Sequence, residues 1–319
     1  MSELHKFLFE GLPVRGMLVR LEQSWHELLS RRSAGKEFPP EVRELLGQMS
    51  AASTLMQANI KFKGSLLLQM AGDGPLKLAV AEVQPDLSFR ATATLVGAVV
   101  PGSDLTALIN PHGQGRCAIT LDPQDRLPGQ QPYQGIVPLR SDEGQPLTDI
   151  ASALEHYMLK SEQLETRLVL AANDSVAAGL LIQRIPLQGE GNLEGLGLSE
   201  AEQIERLDAF NRISMLAATL KPEELLGLAP QEVLRRLFWQ EQVRVFEPQQ
   251  PRFACSCSRQ RVSRMIQGLG EQEATEVVAE QGAVEVGCEF CGATYRFDAV
   301  DVAALFTATP GAAQHETPQ

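Results

Sequence analysis

Four of the five cysteines in this chain fall close together near its end. "ACSCSRQR" at 254–261 carries Cys255 and Cys257, and "GCEFCG" at 287–292 carries Cys288 and Cys291. Two thiol pairs about thirty residues apart constrain a fold more than any other feature here, because they have to be brought to one point before they can do chemistry. The second pair, Cys-x-x-Cys between strand-like segments with Gly292 directly behind it, reads as a zinc knuckle in which the turn aims two sulfurs at one ion. The first pair, Cys-x-Cys, can supply the other two corners of a tetrahedron. No histidine competes, since His5, His26, His112 and His156 lie elsewhere and His315 sits in the C-terminal tail. One Zn²⁺ per chain, held by Cys255, Cys257, Cys288 and Cys291, is the expectation. A module of this size cannot hold itself by apolar burial alone, whereas structural zinc in small peptides contributes about 10–16 kcal/mol that becomes folding energy.

The same four sulfurs support more than one reading. The plainest is a zinc ribbon that staples a C-terminal module. A redox device uses the same atoms, since the thiolate is the nucleophile toward oxidants and Arg259, Arg261 and Arg264 would favour it. Neighbouring thiols can then close disulfides, Cys255 with Cys257 and Cys288 with Cys291, and each closure removes metal donors. A thiol oxidoreductase working through Cys288-Glu-Phe-Cys291 is the enzymatic alternative, but the dithiol follows no βαβ pattern and two pairs point to shared metal ligation. Cys117, in "GRCAIT", reads as a small buried hydrophobe.

Charge excludes nucleic acid as a partner. The chain carries a formal net charge of −12 with a pI near 5.0. Within 251–309 there are five arginines, no lysine and eight acidic residues, and four thiolates around one Zn²⁺ make the module still more negative. Such a surface repels phosphates. No stretch approaches the roughly twenty apolar residues of a spanning helix, and "LVLAANDSVAAGLLI" (168–182) is broken by Asn173 and Asp174. "MSELHKFLFEGLP" lacks the basic and apolar regions of a secretory signal. No membrane association and a cytoplasmic location, where thiols stay reduced, are therefore expected. No phosphate-binding G-x-x-x-x-G-K-[ST] loop occurs, which argues against ATP.

The pattern divides the chain into an α+β core domain (1–187), a Gly-rich linker and helical middle region (188–240), a zinc domain (241–307) and a disordered tail (308–319). "FPPEVRELLGQMSAASTLMQANI" (38–60) predicts a helix opened by proline, with Val42, Leu45, Leu46, Met49 and Leu55 or Met56 at helical spacing. "SLLLQMAGDGPLKLAVAEV" (65–83) predicts two strands about a Gly-Asp-Gly-Pro turn, and "SFRATATLVG", "GRCAITLDP" and "YQGIVPLR" predict three more. Thr148 is a candidate cap for a helix carrying Ile150, Leu154, Tyr157 and Met158, and "TRLVLAAN" with "AAGLLIQRIP" predicts a hairpin. The sum is a large, mostly antiparallel sheet with helices. Ser199 with Glu202, Pro222 and Pro230 mark helix starts in the middle region. There Ile204, Leu207, Phe210, Ile213 and Leu216 recur every three residues, so the apolar stripe drifts round the helix by about 60° per step. Such a helix is expected to wrap a neighbour or to be marginally stable.

These residues together resemble the heat-shock protein 33 family, the redox-regulated holdase chaperones of the bacterial cytosol. The likeness rests on the two cysteine pairs in "CSCSR" and "CEFCG". It extends through "IKFKGSLLLQMAGDGPLKLAV" (60–80), "YQGIVPL" (133–139), "HYMLKSEQLETRL" (156–168) and "EVLRRLFWQEQVRVFEPQ" (232–249). "GQGRCAIT" departs from the expected apolar run but touches no cysteine of the switch. The resemblance implies an ATP-independent chaperone, not an enzyme, that binds unfolding proteins and prevents their aggregation under oxidative stress. It implies an inactive reduced, zinc-bound form. It also implies activation through Cys255–Cys257 and Cys288–Cys291 disulfides with zinc release, and a homodimer when oxidised. Ile204, Leu207, Phe210 and Ile213 are the candidate client-binding residues.

Overall fold

The computed structural model of the chain describes residues 1–31, 37–125, 129–186 and 200–307, with the backbone alone over 200–207. The Gly-rich linker, Ser199 and the C-terminal tail lie outside the described residues. The chain forms two compact units, Met1–Ala254 and Cys255 onward.

The first unit is α+β, built on two sheets rather than one large one. Strands β1 (Glu3–Phe9), β2 (Val14–Leu21), β8 (Thr166–Ala172), β9 (Ala177–Arg184) and β10 (Val243–Val245) form a five-stranded antiparallel sheet in the order β10-β1-β2-β9-β8. The second sheet uses β3 (Gly64–Ala71), β4 (Leu76–Val83), β5 (Ser88–Leu95), β6 (Arg116–Pro123), β7 (Tyr133–Pro138) and β11 (Arg252–Phe253) in the order β11-β5-β4-β3-β6-β7. Only β11 pairs in parallel there, against β5. Residues 243–253, grouped with the zinc module by sequence, are thus edge strands of the N-terminal sheets. The short segments "VRV" and "RF" carry no period that assigns them to either unit.

Helix α2 (Pro40–Asn59) packs against strands of both sheets, and it is buried nearly throughout from Val42 to Gln57. Glu44 and Gln48 face solvent near its start, but from Met49 to Met56 the helix is covered on all sides, and its sequence shows why it fits. The run "SAAST" keeps the backbone thin, and its hydroxyls are satisfied within the helix. Ser50 donates to the Leu46 carbonyl, Ser53 to Met49 and Thr54 to Ser50, each at 2.7 Å. Helix α4 (Ile150–Ser161) is capped by Asp149, whose carboxylate accepts from the Ser152 amide at 2.8 Å, so the cap is one residue beyond Thr148. Short helices α1 (Gln23–Ser30) and α3 (Leu105–Ile109) have too few turns to declare themselves by periodicity.

The middle region, helices α5 (Glu200–Ala218), α6 (Pro222–Gly227) and α7 (Pro230–Phe238), covers the five-stranded sheet. Phe210, Ile213, Ala217, Leu220, Leu225, Val233, Leu234, Leu237 and Phe238 join Phe7, Phe9, Val14, Leu18, Leu180 and Ile182 in one cluster. With α2 and this layer both packed against it, β9 reads as a continuous apolar run rather than an alternating one. The apolar stripe of α5 does not drift in the described part. Ala209 and Ala217 occupy the face beside Phe210 and Ile213, at spacings of three and four, while Leu216 is only partly buried. The β1–β2 register sets Phe7 opposite Gly16, and a Cβ on Gly16 would meet the Phe7 ring at 2.1 Å. The glycine lets the ring lie flat across its neighbour strand, where Phe7, Phe9 and Phe238 stack with centroids 5.0–6.1 Å apart.

Phe238 therefore fastens the end of the helical layer to the sheet. Replacing it, Phe238→Ala, should lower the unfolding free energy of the first unit by about 3–5 kcal/mol in urea titrations. Amide exchange should quicken over 208–238 before it does in β2 and β9.

Candidate metal centre

The second unit contains α8 (Arg259–Leu269), α9 (Glu271–Gln281), a hairpin of β12 (Val284–Gly287) and β13 (Thr294–Phe297), and α10 (Ala299–Thr307). Its buried apolar core is Val262, Ile266, Ala274, Val284, Phe297 and Val302, with Val277, Val278, Val286, Tyr295, Leu305 and Phe306 packed at the margin. Six buried side chains, one of them an alanine, are a thin core for a folded unit.

The hairpin tip holds Cys288 and Cys291. The Cys288 amide donates to the Ala293 carbonyl and the Gly292 amide to the Cys288 carbonyl, both at 2.8 Å. Gly292 takes φ 68°, the left-handed value that lets the chain turn back under its own sulfurs. Cys255 and Cys257 lie in the irregular stretch just before α8, whose N-cap Ser258 accepts from the Arg261 amide. Arg261 also donates to the Ser256 carbonyl at 2.9 Å and to its hydroxyl at 2.6 Å, bracing the residue between the two cysteines.

All four sulfurs lie within 4.8 Å of one another. The short approaches run between the pairs, Cys255 to Cys288 at 3.6 Å and Cys257 to Cys291 at 3.3 Å. A tetrahedral Zn²⁺ with sulfurs at about 2.3 Å requires edges of about 3.8 Å. The cluster has that size, and its donors are all sulfur, so the residues fit zinc. Without a cation the arrangement is unfavourable. Burial pushes the Cys288 thiol up, and burial with three neighbouring sulfurs pushes Cys291 further. A divalent cation inverts that balance, because it stabilises the thiolates that burial and crowding oppose.

Two of the three arginines read as thiolate-stabilising are occupied with the fold. Arg259 stacks on Phe297 at 4.1 Å, pairs with Asp301 at 2.8 Å and donates to the Arg296 carbonyl. That contact ties α8 to β13 and α10 across the module. Arg264 is exposed on α8. A residue that sequence spacing did not single out is Tyr295, whose hydroxyl lies 3.2 Å from the Cys257 sulfur. The donated bond pushes its phenol up to about 12. Alternation along "TYRF" puts Tyr295 and Phe297 on the same face, the one signal that could have found it. Cys117 is fully buried on β6, its thiol raised to about 12 by burial, and takes no part. Cys288 and Cys291 sit on a two-stranded hairpin rather than at a helix N-terminus, so they lack the helix dipole that activates a redox dithiol.

Of the proposed client-binding residues, Phe210 and Ile213 are buried against the five-stranded sheet, and the side chains of Ile204 and Leu207 lie outside the described residues. Among the described residues no helix is long and apolar enough to cross a membrane.

Comparison with known proteins agrees with this architecture. A family model described as "Hsp33 protein" matches residues 2–298. The 33 kDa chaperonin of Chromobacterium violaceum is 47% identical over 305 residues, covering 96% of this chain and 94% of that protein. Those of Methylobacillus flagellatus and Neisseria meningitidis are 43% and 41% identical, over 96% and 94% of this chain and 94% and 90% of theirs. The crystal structure of the 33 kDa chaperonin (heat shock protein 33 homolog) from Thermotoga maritima shares the fold, with a TM-score of 0.72 at 22% identity over 96% of this chain and 98% of that one. A match from residue 2 to beyond the fourth cysteine, with relatives of this identity along nearly their whole length, means that the chain belongs to the Hsp33 chaperone family.

Proposed function

We propose that this chain is a redox-regulated, ATP-independent holdase of the cytoplasm that binds unfolding proteins and keeps them from aggregating under oxidative stress. The observation that carries the reading is the convergence of four sulfurs in a unit whose apolar core is too thin to stand alone. A Zn²⁺ held by Cys255, Cys257, Cys288 and Cys291 would supply the cross-link that burial does not. In the reduced state the four thiolates hold the module folded and the chain inactive. Oxidation turns donors into disulfide sulfurs, which no longer bind the metal, so loss of the ligand set and unfolding of the module are one event.

The middle region is the element such a switch can act on. Its α5 contacts the sheet through alanines and a few large side chains, and among the described residues the hydroxyl of buried Ser214 has no hydrogen-bond partner. An unsatisfied hydroxyl costs about 1–3 kcal/mol, which weakens the hold of this layer on the sheet. The chain that follows it runs through β10 and β11 directly into Cys255, so unfolding of the module frees the end of that path. Opened, Phe210 and Ile213, with Ile204 and Leu207, can bind apolar segments of a client or form the oxidised homodimer.

Reduced protein should contain one zinc per chain by elemental analysis, and the double variant Cys288→Ser with Cys291→Ser should contain almost none; full binding by that variant removes the site. The pH dependence has a definite sign. In the metal-free unit the Cys288 and Cys291 thiols are raised above their ordinary value, so near neutral pH both are protonated and metal binding must expel protons. Apparent zinc affinity should therefore fall as pH falls, by up to about tenfold per unit for each proton displaced.

In the folded unit the short sulfur approaches are Cys255 to Cys288 and Cys257 to Cys291. Disulfides formed within it would cross the pairs, whereas an unfolded module favours the shortest loops. Peptide mapping of oxidised protein should recover Cys255–Cys257 and Cys288–Cys291. Dominant Cys255–Cys288 linkage would mean that the disulfides close within the still-folded module.

A chain ending at Gln240 should suppress aggregation of a thermally unfolding client without any oxidant. In the full chain, oxidation should speed amide exchange over 200–240 as well as around the cysteines. A truncated chain that folds yet lets the client aggregate would reduce the middle region to a tether.

A further inference from the structure

The four sulfurs are not held alike. Cys288 and Cys291 are set by backbone bonds of their own turn, in which the Cys288 amide donates to the Ala293 carbonyl and the Gly292 amide to the Cys288 carbonyl. Those donors belong to the knuckle and come with its turn. Cys257 lies instead in an irregular stretch, residues 254–258, and its sulfur meets a side-chain hydroxyl, that of Tyr295 at 3.2 Å. A thiolate has no proton to give, so the phenol is the donor. The tyrosine is well placed for the task. It sits on β13 opposite Val286 and its ring packs against the module's core. The hydroxyl is thus carried on a fixed arm, and it links the cysteine pair before α8 to the hairpin that bears the other pair.

We propose that Tyr295 is a positioning residue of the thiolate cluster, whose hydroxyl holds the Cys257 sulfur in its ligating orientation and restrains its attack on peroxides. The inference rests on the zinc-thiolate reading of the preceding subsection. Its chemistry is simple. A peroxide takes two electrons from two thiolates. The first sulfur attacks one peroxide oxygen, the O–O bond breaks, and a sulfenic acid and hydroxide form. The second thiolate then displaces hydroxide from that sulfur to make the disulfide, and two solvent protons convert both hydroxides to water. A hydrogen bond to a sulfur lone pair withdraws charge from the nucleophile and opposes the first step. Cys257 also stands 3.3 Å from Cys291, so restraint at this sulfur bears on both pairs.

Tyr295→Phe keeps the ring and removes only the donor. In the full reduced chain it should weaken zinc binding about tenfold in chelator competition. Zinc release by hydrogen peroxide should quicken at least about threefold. Loaded with Co²⁺, the variant should show its sulfur-to-metal charge-transfer band moved to longer wavelength, because an unbonded thiolate gives up charge more readily. Arg259→Lys disturbs the same module through Phe297 and Asp301 without touching the hydroxyl, and should leave that band in place. An unmoved band with unchanged release in Tyr295→Phe overturns the role of Tyr295. A wild-type chain that binds neither metal overturns the zinc reading instead. Should Tyr295→Phe fail to fold with metal, ¹¹³Cd-loaded wild-type protein decides the matter. A slowly exchanging tyrosine hydroxyl proton coupled to the cadmium supports the bond, and its absence overturns it.

Discussion

The convergence of four sulfurs is the constraint on which the second unit depends. The six apolar side chains of its buried cluster cannot offset the ordering of some fifty residues, since each ordered residue costs on the order of 1.5 kcal/mol. The remaining cohesion is local and polar. Arg259 joins three elements by stacking and pairing, and Arg261 braces Ser256. Both contacts are largely exposed and screened, so neither substitutes for a cross-link at the cluster. In the absence of a cation, burial together with the three neighbouring sulfurs raises the Cys291 thiol. A unit arranged in this way is stable in proportion to what its thiolates hold. On the proposed reading, that makes its fold a readout of their chemical state.

The first unit is the converse case. Its core is large, and α2 packs against both sheets with its hydroxyls bonded to its own carbonyls. Nothing in that arrangement is easily opened. The helical layer differs in the quality of its packing rather than in its position. Both helices leave buried polar atoms without a partner among the described residues, Gln57 Oε1 and Asn59 Oδ1 on α2 and the Ser214 hydroxyl on α5. Where the sheet stacks Phe7 on Phe9, the layer is fastened at one end by Phe238.

How much of this is legible in the sequence depends on the range of the interaction. The cysteine knuckle is legible because Cys-x-x-Cys-Gly is a local turn, complete within five residues. The strands from Gly64 to Pro138 are legible because each alternates and ends in turn residues. That they form a sheet separate from β1, β2, β8 and β9 is not, since sheet membership is decided by pairing partners far apart in the chain. Strand β10 pairs Val245 with Phe7, and no local pattern encodes that. The stripe of α5 is misleading for a related reason. Counting only large apolar residues gives a period of three, whereas the buried face also uses Ala209 and Ala217, which propensity alone cannot assign to a surface. Tyr295 is hidden because a hydroxyl reaching a sulfur thirty-eight residues away leaves no spacing to read.

The burial of Phe210 and Ile213 bears on what an opened form would present. An apolar interface that separates uncovers two surfaces. Lifting α5 exposes its own Phe210 and Ile213, and it equally exposes the sheet face made by Phe7, Phe9, Val14, Leu18, Leu180 and Ile182. The second surface is the broader, and it stays ordered because α2 packs against that sheet from the rest of the core. A rigid apolar sheet face beside a loosened helix suits extended, unfolding chains better than the helix alone, since only the client then loses entropy on binding. The same burial keeps those residues out of reach of any client in the closed form. Covering those residues stabilises it by about 25 cal/mol for each Å² removed from water, so opening must be driven by an event elsewhere in the chain. A shift of about 1.4 kcal/mol changes the open population tenfold, well within what the loss of one small folded unit can supply.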